Sequence, residues 1–344
     1  MNIAFIFPRF TGPYGGERYV INLANEIACL GHEVSIITQK RNAKCDALLS
    51  KKVNVIALGT LNLKDHNIMT FLDWVSMLRI PFRIKKEFEV IAPMIWQSIL
   101  AGALVKLFFR KKKVVYHCFE PPRFLYDLKR ATLGNVKLLE KVLLLTLIPI
   151  VRIIDTWAVK KADAIISISD WTAREVRKIY GLGSEIIYPG VEITRFRKYT
   201  RAQARKKVRI PENLRLYVSV SKLHRRKRID EAIALFQTHL SEAKRSIFYI
   251  IGSGPEEGAI RELVKRKNLK NVKILGEVEE EMIPVYLSAG DFFIFTAVNE
   301  PFGIAPLEAT VAGCKVIPEM PKYPVVSWRN HASRVLRSYR SLGL

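Results

Sequence analysis

Short apolar runs alternate with longer amphipathic stretches along most of this chain. Residues 3–7 form an apolar run that opens into a glycine-rich loop, Thr11-Gly-Pro-Tyr-Gly-Gly16. Residues 17–30 then carry Val20, Leu23, Ala24 and Ile27 at helical spacing and stop at Gly31. Strands are predicted at 33–38, 53–58, 114–118 and 164–168. The alternation restarts after Gly181-Leu-Gly183, with an extended segment and turn at 186–190. Further strands are predicted at 216–220, 247–251, 272–275 and 292–295, with helices between them. Strand, helix, strand in succession predicts parallel sheets covered on both faces. The expected fold class is α/β, with two doubly wound, Rossmann-like domains facing a cleft. The expected boundaries are 1–183 and 184–344. Ligands in such sheets bind at the carboxyl ends of the strands.

Composition agrees with two packed domains: 344 residues, 49% of them apolar. The net charge is +24. It is spread along the chain, with 28 basic and 15 acidic side chains in residues 1–183 and 28 and 17 in the rest. Such a surface attracts phosphates on small substrates, lipids or nucleic acid. The four cysteines have no CxxC spacing. Met1–Pro8 lacks a basic, long-apolar leader pattern and reads as a strand. A cytoplasmic location is expected. Apolar runs at 95–109 and 142–154 are too interrupted to span a bilayer. Each adjoins basic residues, so each is either a core helix or a peripheral contact with an anionic membrane.

There is no P-loop and no His-Glu-x-x-His, and no two aspartates stand at i and i+2. A nucleoside diphosphate would therefore have to be neutralised by side chains and helix ends, without metal and without a cofactor. The strand at 216–220 runs into Ser221-Lys-Leu-His-Arg-Arg-Lys-Arg228, where Lys222 and Lys227 can balance a diphosphate. A solvated basic loop is the plainer alternative. Gly252 and Gly254 end the next strand; they allow close approach of a ligand, or merely a tight turn. Glu300-Pro-Phe-Gly-Ile-Ala-Pro-Leu-Glu308 follows the strand at 292–295. A helix predicted to start near 303–306 puts Glu300 in the loop and Glu308 one turn inside. Phe302 and Gly303 would offer amides at its N-terminus, and Glu308 could accept from ribose hydroxyls. Complementing the helix dipole is the plainer role for Glu308.

Glu-x7-Glu after an apolar strand, with the Lys222/Lys227 loop, resembles the family 4 retaining glycosyltransferases of the GT-B fold, also called glycosyl transferases group 1. Gly15-Gly16-Glu17-Arg18, residues 164–172, the Tyr188-Pro-Gly-Val junction and Gly252-x-Gly254 agree with it. The resemblance covers residues 1 to about 317. It implies that Lys222, where the family usually has arginine, and Lys227 bind the donor diphosphate, with help from the amides at Gly15 and Gly16. It implies that Glu300 orients the transferred sugar, that Glu308 binds ribose, and that His117, in Tyr116-His-Cys-Phe-Glu-Pro-Pro-Arg123, contacts the sugar. The reaction implied is front-face transfer with retention, from a nucleotide-sugar donor to a glycan or lipid-linked acceptor. The Tyr116–Arg123 segment favours mannose. After Ile317 the chain departs from the family pattern, so the second domain reads as shortened, and residues 327–344 are predicted to form one basic helix with Val335 and Leu336 inward. Two alternatives are an inactive GT-B homologue bound to a membrane surface, and a basic nucleic-acid-binding protein. The diffuse charge, without aromatic-interleaved basic motifs, speaks against nucleic acid.

Overall fold

The computed structural model describes residues 1–59, 76–126, 138–240 and 245–344. It divides into two compact units: residues 1–190 together with 328–344, and residues 191–327.

The first unit is built on a seven-stranded sheet: β1 (Asn2–Ile6), β2 (Glu33–Thr38), β3 (Val53–Ala57), β4 (Val90–Pro93), β5 (Lys113–Cys118), β6 (Ala164–Ser167) and β7 (Glu185–Ile186). Every ladder is parallel, in the order β3-β2-β1-β4-β5-β6-β7. Helices α1 (Gly15–Cys29), α2 (Ala43–Asp46), α3 (Trp96–Phe108), α4 (Leu138–Lys160) and α5 (Asp170–Tyr180) lie along the chain between these strands. Alternate residues of a strand share a face. Ala4 and Ile6 of β1 accordingly pack with Ile37, Ile91 and Val114, and with Met77, Ile80 and Val105 from the connections. A second cluster joins Tyr116 and Cys118 of β5 to Ile99, Val159, Val176 and Tyr180.

The second unit repeats the plan. Its strands are β8 (Arg215–Val220), β9 (Ser246–Ile251), β10 (Val272–Gly276), β11 (Phe292–Ile294) and β12 (Lys315–Ile317), all parallel, in the order β10-β9-β8-β11-β12. Its helices are α6 (Ile193–Phe196), α7 (Arg201–Val208), α8 (Ile229–Leu240), α9 (Glu257–Arg266), α10 (Ile283–Ala289) and α11 (Ile304–Ala312). The core is aromatic: Tyr217 lies 5.0 Å from Phe236 and 4.8 Å from Phe292, ring to ring. Arg205, 1% exposed, pairs with Asp291 at 2.6 Å and donates to the Ala289, Pro211 and Glu212 carbonyls. Asp291 also accepts from the Leu216 amide at 2.8 Å, so one buried ion pair ties α7 to the amino end of the sheet.

The division differs from the expected 183/184 boundary in two places. β7 still pairs with β6, Glu185 opposite Ile166, so the first unit runs on to Gly190. The carboxyl helix α12 (Trp328–Arg340) packs along α1 and so belongs to the first unit, not to the second. Val335 and Leu336 point inward on it, as its spacing predicts. The run at 95–109 proves to be a core helix with an exposed last turn. Ile99 and Val105 are buried, whereas Leu107 and Phe108 are 51% and 60% exposed. In the run at 142–154, residues 142–144 lie outside the described side chains; Ile148 and Val151 are buried, while Ile150 and Ile153 are exposed.

Candidate functional site

A doubly wound sheet reverses its winding at one point, and the loops leaving the two strands there diverge to form a crevice. In the second unit that point lies between β8 and β11. The loop after β8 carries Lys222 and Lys227; the loop after β11 carries Glu300. The two strands are direct neighbours, Tyr217 opposite Phe292, so side chains 73 residues apart meet. Lys227 Nζ donates to Glu300 Oε2 at 2.7 Å, and each side chain is 19% exposed. Arg226 stands 3.7 Å from the same oxygen.

Backbone contacts fix the two loops against each other. Thr296 Oγ1 donates to the carbonyls of Lys227 at 3.0 Å and Arg228 at 2.8 Å. The Val298 amide donates to the Arg226 carbonyl at 3.1 Å. Arg228 and Asn299 both sit at positive φ, 50° and 55°, which bends each loop sharply beside the ion pair. Lys222 is exposed on the same β8 loop. His224 lies between the lysines. Burial first, and then the charges of Lys222, Arg226 and Lys227, hold its pKa below the usual imidazole range. The three cations add to the effect of burial, and the Glu256 charge opposes them. His224, Arg226, Thr296 and Asn299 adjoin the pair and no single motif reveals them; the run of basic residues signalled the first two, and nothing in the sequence signalled Thr296 or Asn299. Ser221 Oγ, also at this strand end, is buried without a hydrogen-bond partner.

Gly252 and Gly254 have a purpose that needs no ligand. A Cβ at Gly252 would lie 1.9 Å from the Ser221 carbonyl oxygen, and one at Gly254 would lie 2.5 Å from that of Leu223. The two strand-end loops are laced by Leu223 N to Ser253 O and Ser221 N to Ile251 O. The glycines thus let the β9 loop press on the lysine-bearing loop and set its path. Phe302 is buried, with its ring 4.8 Å from Tyr323, and a Cβ at Gly303 would meet Pro306 at 2.5 Å. Both pack the turn into α11. Glu308, one turn inside that helix, is half-buried.

In the first unit, Gly15 and Gly16 open α1 at the carboxyl end of β1. A Cβ on Gly16 would make only ordinary contact with Phe119. His117 closes β5 and meets an environment the sequence did not foretell. It is wholly buried, and both ring nitrogens are engaged, by Tyr19 at 3.2 Å and by Tyr339 of α12 at 2.7 Å. Tyr19 also meets His331 Nε2 at 3.1 Å, and His331 Nδ1 meets the Tyr188 carbonyl at 2.8 Å. Burial, then the His331 charge, pushes His117 down to about 3; burial pushes His331 down to about 4. Both rings are therefore neutral near pH 7. A carbonyl only accepts, so His331 carries its proton on Nδ1 and accepts at Nε2 from Tyr19. Tyr19 in turn accepts from His117 Nδ1, and His117 Nε2 accepts from Tyr339. One chain of hydrogen bonds runs in a single direction from the carboxyl helix, through β5 and α1, to the turn before Gly190. Gly190 itself must lack a Cβ, which would sit 2.5 Å from Trp328 Cα. Among the described residues no group of three or more His, Cys, Asp or Glu side chains could hold a metal.

The comparisons with known proteins fit this architecture. WclY of Escherichia coli, an O-antigen biosynthesis glycosyltransferase, is 33% identical over 137 residues, which are 38% of this chain and 36% of WclY. The chain spans well under two thirds of the length of the curated relatives it matches. Sucrose-phosphate synthase from Thermosynechococcus elongatus superposes with a TM-score of 0.72 at 19% identity, over 99% of this chain and 90% of the other. Anabaena HepE, solved in complex with UDP and glucose, does so with a TM-score of 0.68 at 17% identity, over 100% and 91%. The fold is therefore GT-B. Residues 200–321 match the family described as glycosyl transferases group 1, and residues 13–195, more than half of the chain, match Glycosyltransferase Family 4. The chain belongs to Glycosyltransferase Family 4.

Proposed function

We propose that this chain transfers a hexose, with mannose favoured, from a nucleoside-diphosphate sugar to a glycan or lipid-linked acceptor, with retention and without metal. The observation that carries the reading is the Lys227–Glu300 pair at the winding reversal between β8 and β11, with Lys222 on the same loop. HepE, of the same fold, binds UDP and glucose, which supports a nucleotide-sugar donor here. WclY acts in O-antigen biosynthesis, which supports a glycan acceptor.

The chemistry follows from charge. Departure of a nucleoside diphosphate develops negative charge, and preorganised cations stabilise it. Lys222 and Lys227 take that role, with the α11 N-terminus at Phe302 and Gly303 as a further donor. A diphosphate competes with Glu300 for Lys227, and Glu300 is then available to sugar hydroxyls. Glu308 holds ribose hydroxyls. His117 enters as the residue that fastens the carboxyl helix, and Gly252 and Gly254 as those that shape the lysine loop. Thermal melts with UDP-, GDP- and ADP-sugars in the presence of a chelator test the proposal. One donor class is expected to raise the melting temperature, and the product formed from it to keep the donor's anomeric configuration by NMR. No stabilisation by any donor, or an inverted product, would overturn it.

A further inference from the structure

Two segments of the first unit meet at the amino ends of β4 and β5. One consists of the short turns Met77–Arg79 and Pro81–Arg83, the other of the last turn of α3 and the loop into β5. Each buries one side: Met77, Ile80 and Val105 are fully enclosed. Each leaves large apolar groups outside: Leu78 44%, Phe82 81%, Leu107 51% and Phe108 60% exposed. The Phe82 and Phe108 rings stand 6.5 Å apart, so the groups form one patch. Contiguous exposed apolar surface with a polar rim marks an interaction site.

A buried lysine builds this patch. Lys112, 8% exposed, donates from Nζ to the carbonyls of Lys85 at 3.0 Å, Lys86 at 3.0 Å and Phe88 at 2.6 Å. It pins the Phe82 segment to the Phe108 segment. The rim is mainly cationic. Residues 77–88 and 107–113 contain eight Lys and Arg and one acid, Glu87, which pairs with Lys85 at 3.3 Å. Arg79, Arg83, Lys86, Arg110 and Lys111 are exposed.

We propose that this surface docks on an anionic lipid bilayer, the two phenylalanine rings entering the interface while the arginines and lysines contact the headgroups. Charge complementarity selects the occupant. A nucleic acid would match the cations but leave the apolar centre unused. A second copy of this chain would bring like charges face to face in a symmetric pair. A bilayer takes both features at once: buried apolar area and attraction of each cation to anionic lipid. The patch lies at the opposite end of the sheet from Gly16 and His117, which close the carboxyl ends of β1 and β5. It is therefore an anchor and not an acceptor site. The proposal stands whether or not the transfer reaction does.

Vesicle flotation tests it, with phosphatidylglycerol mixed into phosphatidylcholine against phosphatidylcholine alone. The protein is expected to float with the anionic vesicles only, less so as salt rises. F82S/F108S, and separately R83E/R110E, are expected to lower bound protein by about tenfold or more. K265E/K270E, an equal charge change in the second unit, should leave most of the binding. All these side chains are exposed, so circular dichroism should match the wild type, and donor-induced stabilisation should persist. Absence of binding to anionic vesicles, binding indifferent to F82S/F108S, or an equal loss in K265E/K270E would each overturn the proposal.

Discussion

The two units share a strand order and an ion pair at the amino end of the sheet, Lys106–Asp163 in the first and Arg205–Asp291 in the second, and they differ at the carboxyl end. The first unit closes the end of β5 with a neutral chain: Tyr339, His117, Tyr19, His331 and the Tyr188 carbonyl, each hydrogen joining two neighbours. The second uses ion pairs at both ends of its sheet, Arg205–Asp291 at the amino end and Lys227–Glu300 at the carboxyl end. A neutral chain is satisfied as it stands and needs no charged ligand. An ion pair under a cluster of further cations leaves surplus positive charge, which is what a diphosphate can use. The same topology thus yields a sealed polar core in one unit and a charged strand end in the other.

This comparison can be broken at its strongest point first. Arg205→Ala takes from Asp291 its buried partner, leaving it the half-exposed Arg201 and the Leu216 amide, and strips donors from three carbonyls; it should cost about 3 kcal/mol or more of stability, measured by chemical denaturation. Next comes Lys227→Ala, expected to slow transfer by about a hundredfold to a thousandfold, measured under single-turnover conditions, while the melting temperature of the unliganded protein changes little. Tyr339→Phe leaves His117 Nε2 buried with no donor. It should cost about 1–3 kcal/mol and spare donor affinity.

The smallest effect is a pH dependence. His117 and His331 are depressed in the fold, so the unfolded chain binds protons that the native state refuses. Their stabilisation is complete above about pH 6.5 and is lost as pH falls toward 4 and then 3. Asp155 works against them. Burial, tempered by the Tyr126 and Tyr180 hydroxyls that bond to it, raises its pKa to about 6, so the native state gains that proton first. The net loss between pH 6 and 4 should be on the order of 1 kcal/mol per pH unit. Melts across that window check it.

Much of this was legible locally. Strand, glycine loop and helix read correctly at β1–α1, and α11 begins within a residue or two of its predicted start because Gly303 and Pro306 mark it. β4 and β12 were not read: β4 ends on Pro93, a residue that argues against a strand interior, and β12 offers only Val316 and Ile317 as an apolar run. The site was legible as residue types but not as a contact. Lys227 meets Glu300 only because β11 lies beside β8, which no local pattern states. His117 resembled a ligand residue, yet its partner Tyr339 lies 222 positions away, on a helix of the same unit that follows the whole second unit in sequence. Gly252 and Gly254 were read for a ligand or for a tight turn, and the fold requires them for the close approach of the Ser221 and Leu223 carbonyls.

The central claim is that the charged end of the second unit, and not the sealed end of the first, binds the donor diphosphate. Titration calorimetry with UDP and GDP, in chelator, on the wild type, Lys227→Ala and Tyr339→Phe tests it most directly. The account predicts that one nucleotide binds the wild type and Tyr339→Phe alike and that Lys227→Ala loses most of that affinity. Undiminished binding to Lys227→Ala would contradict it.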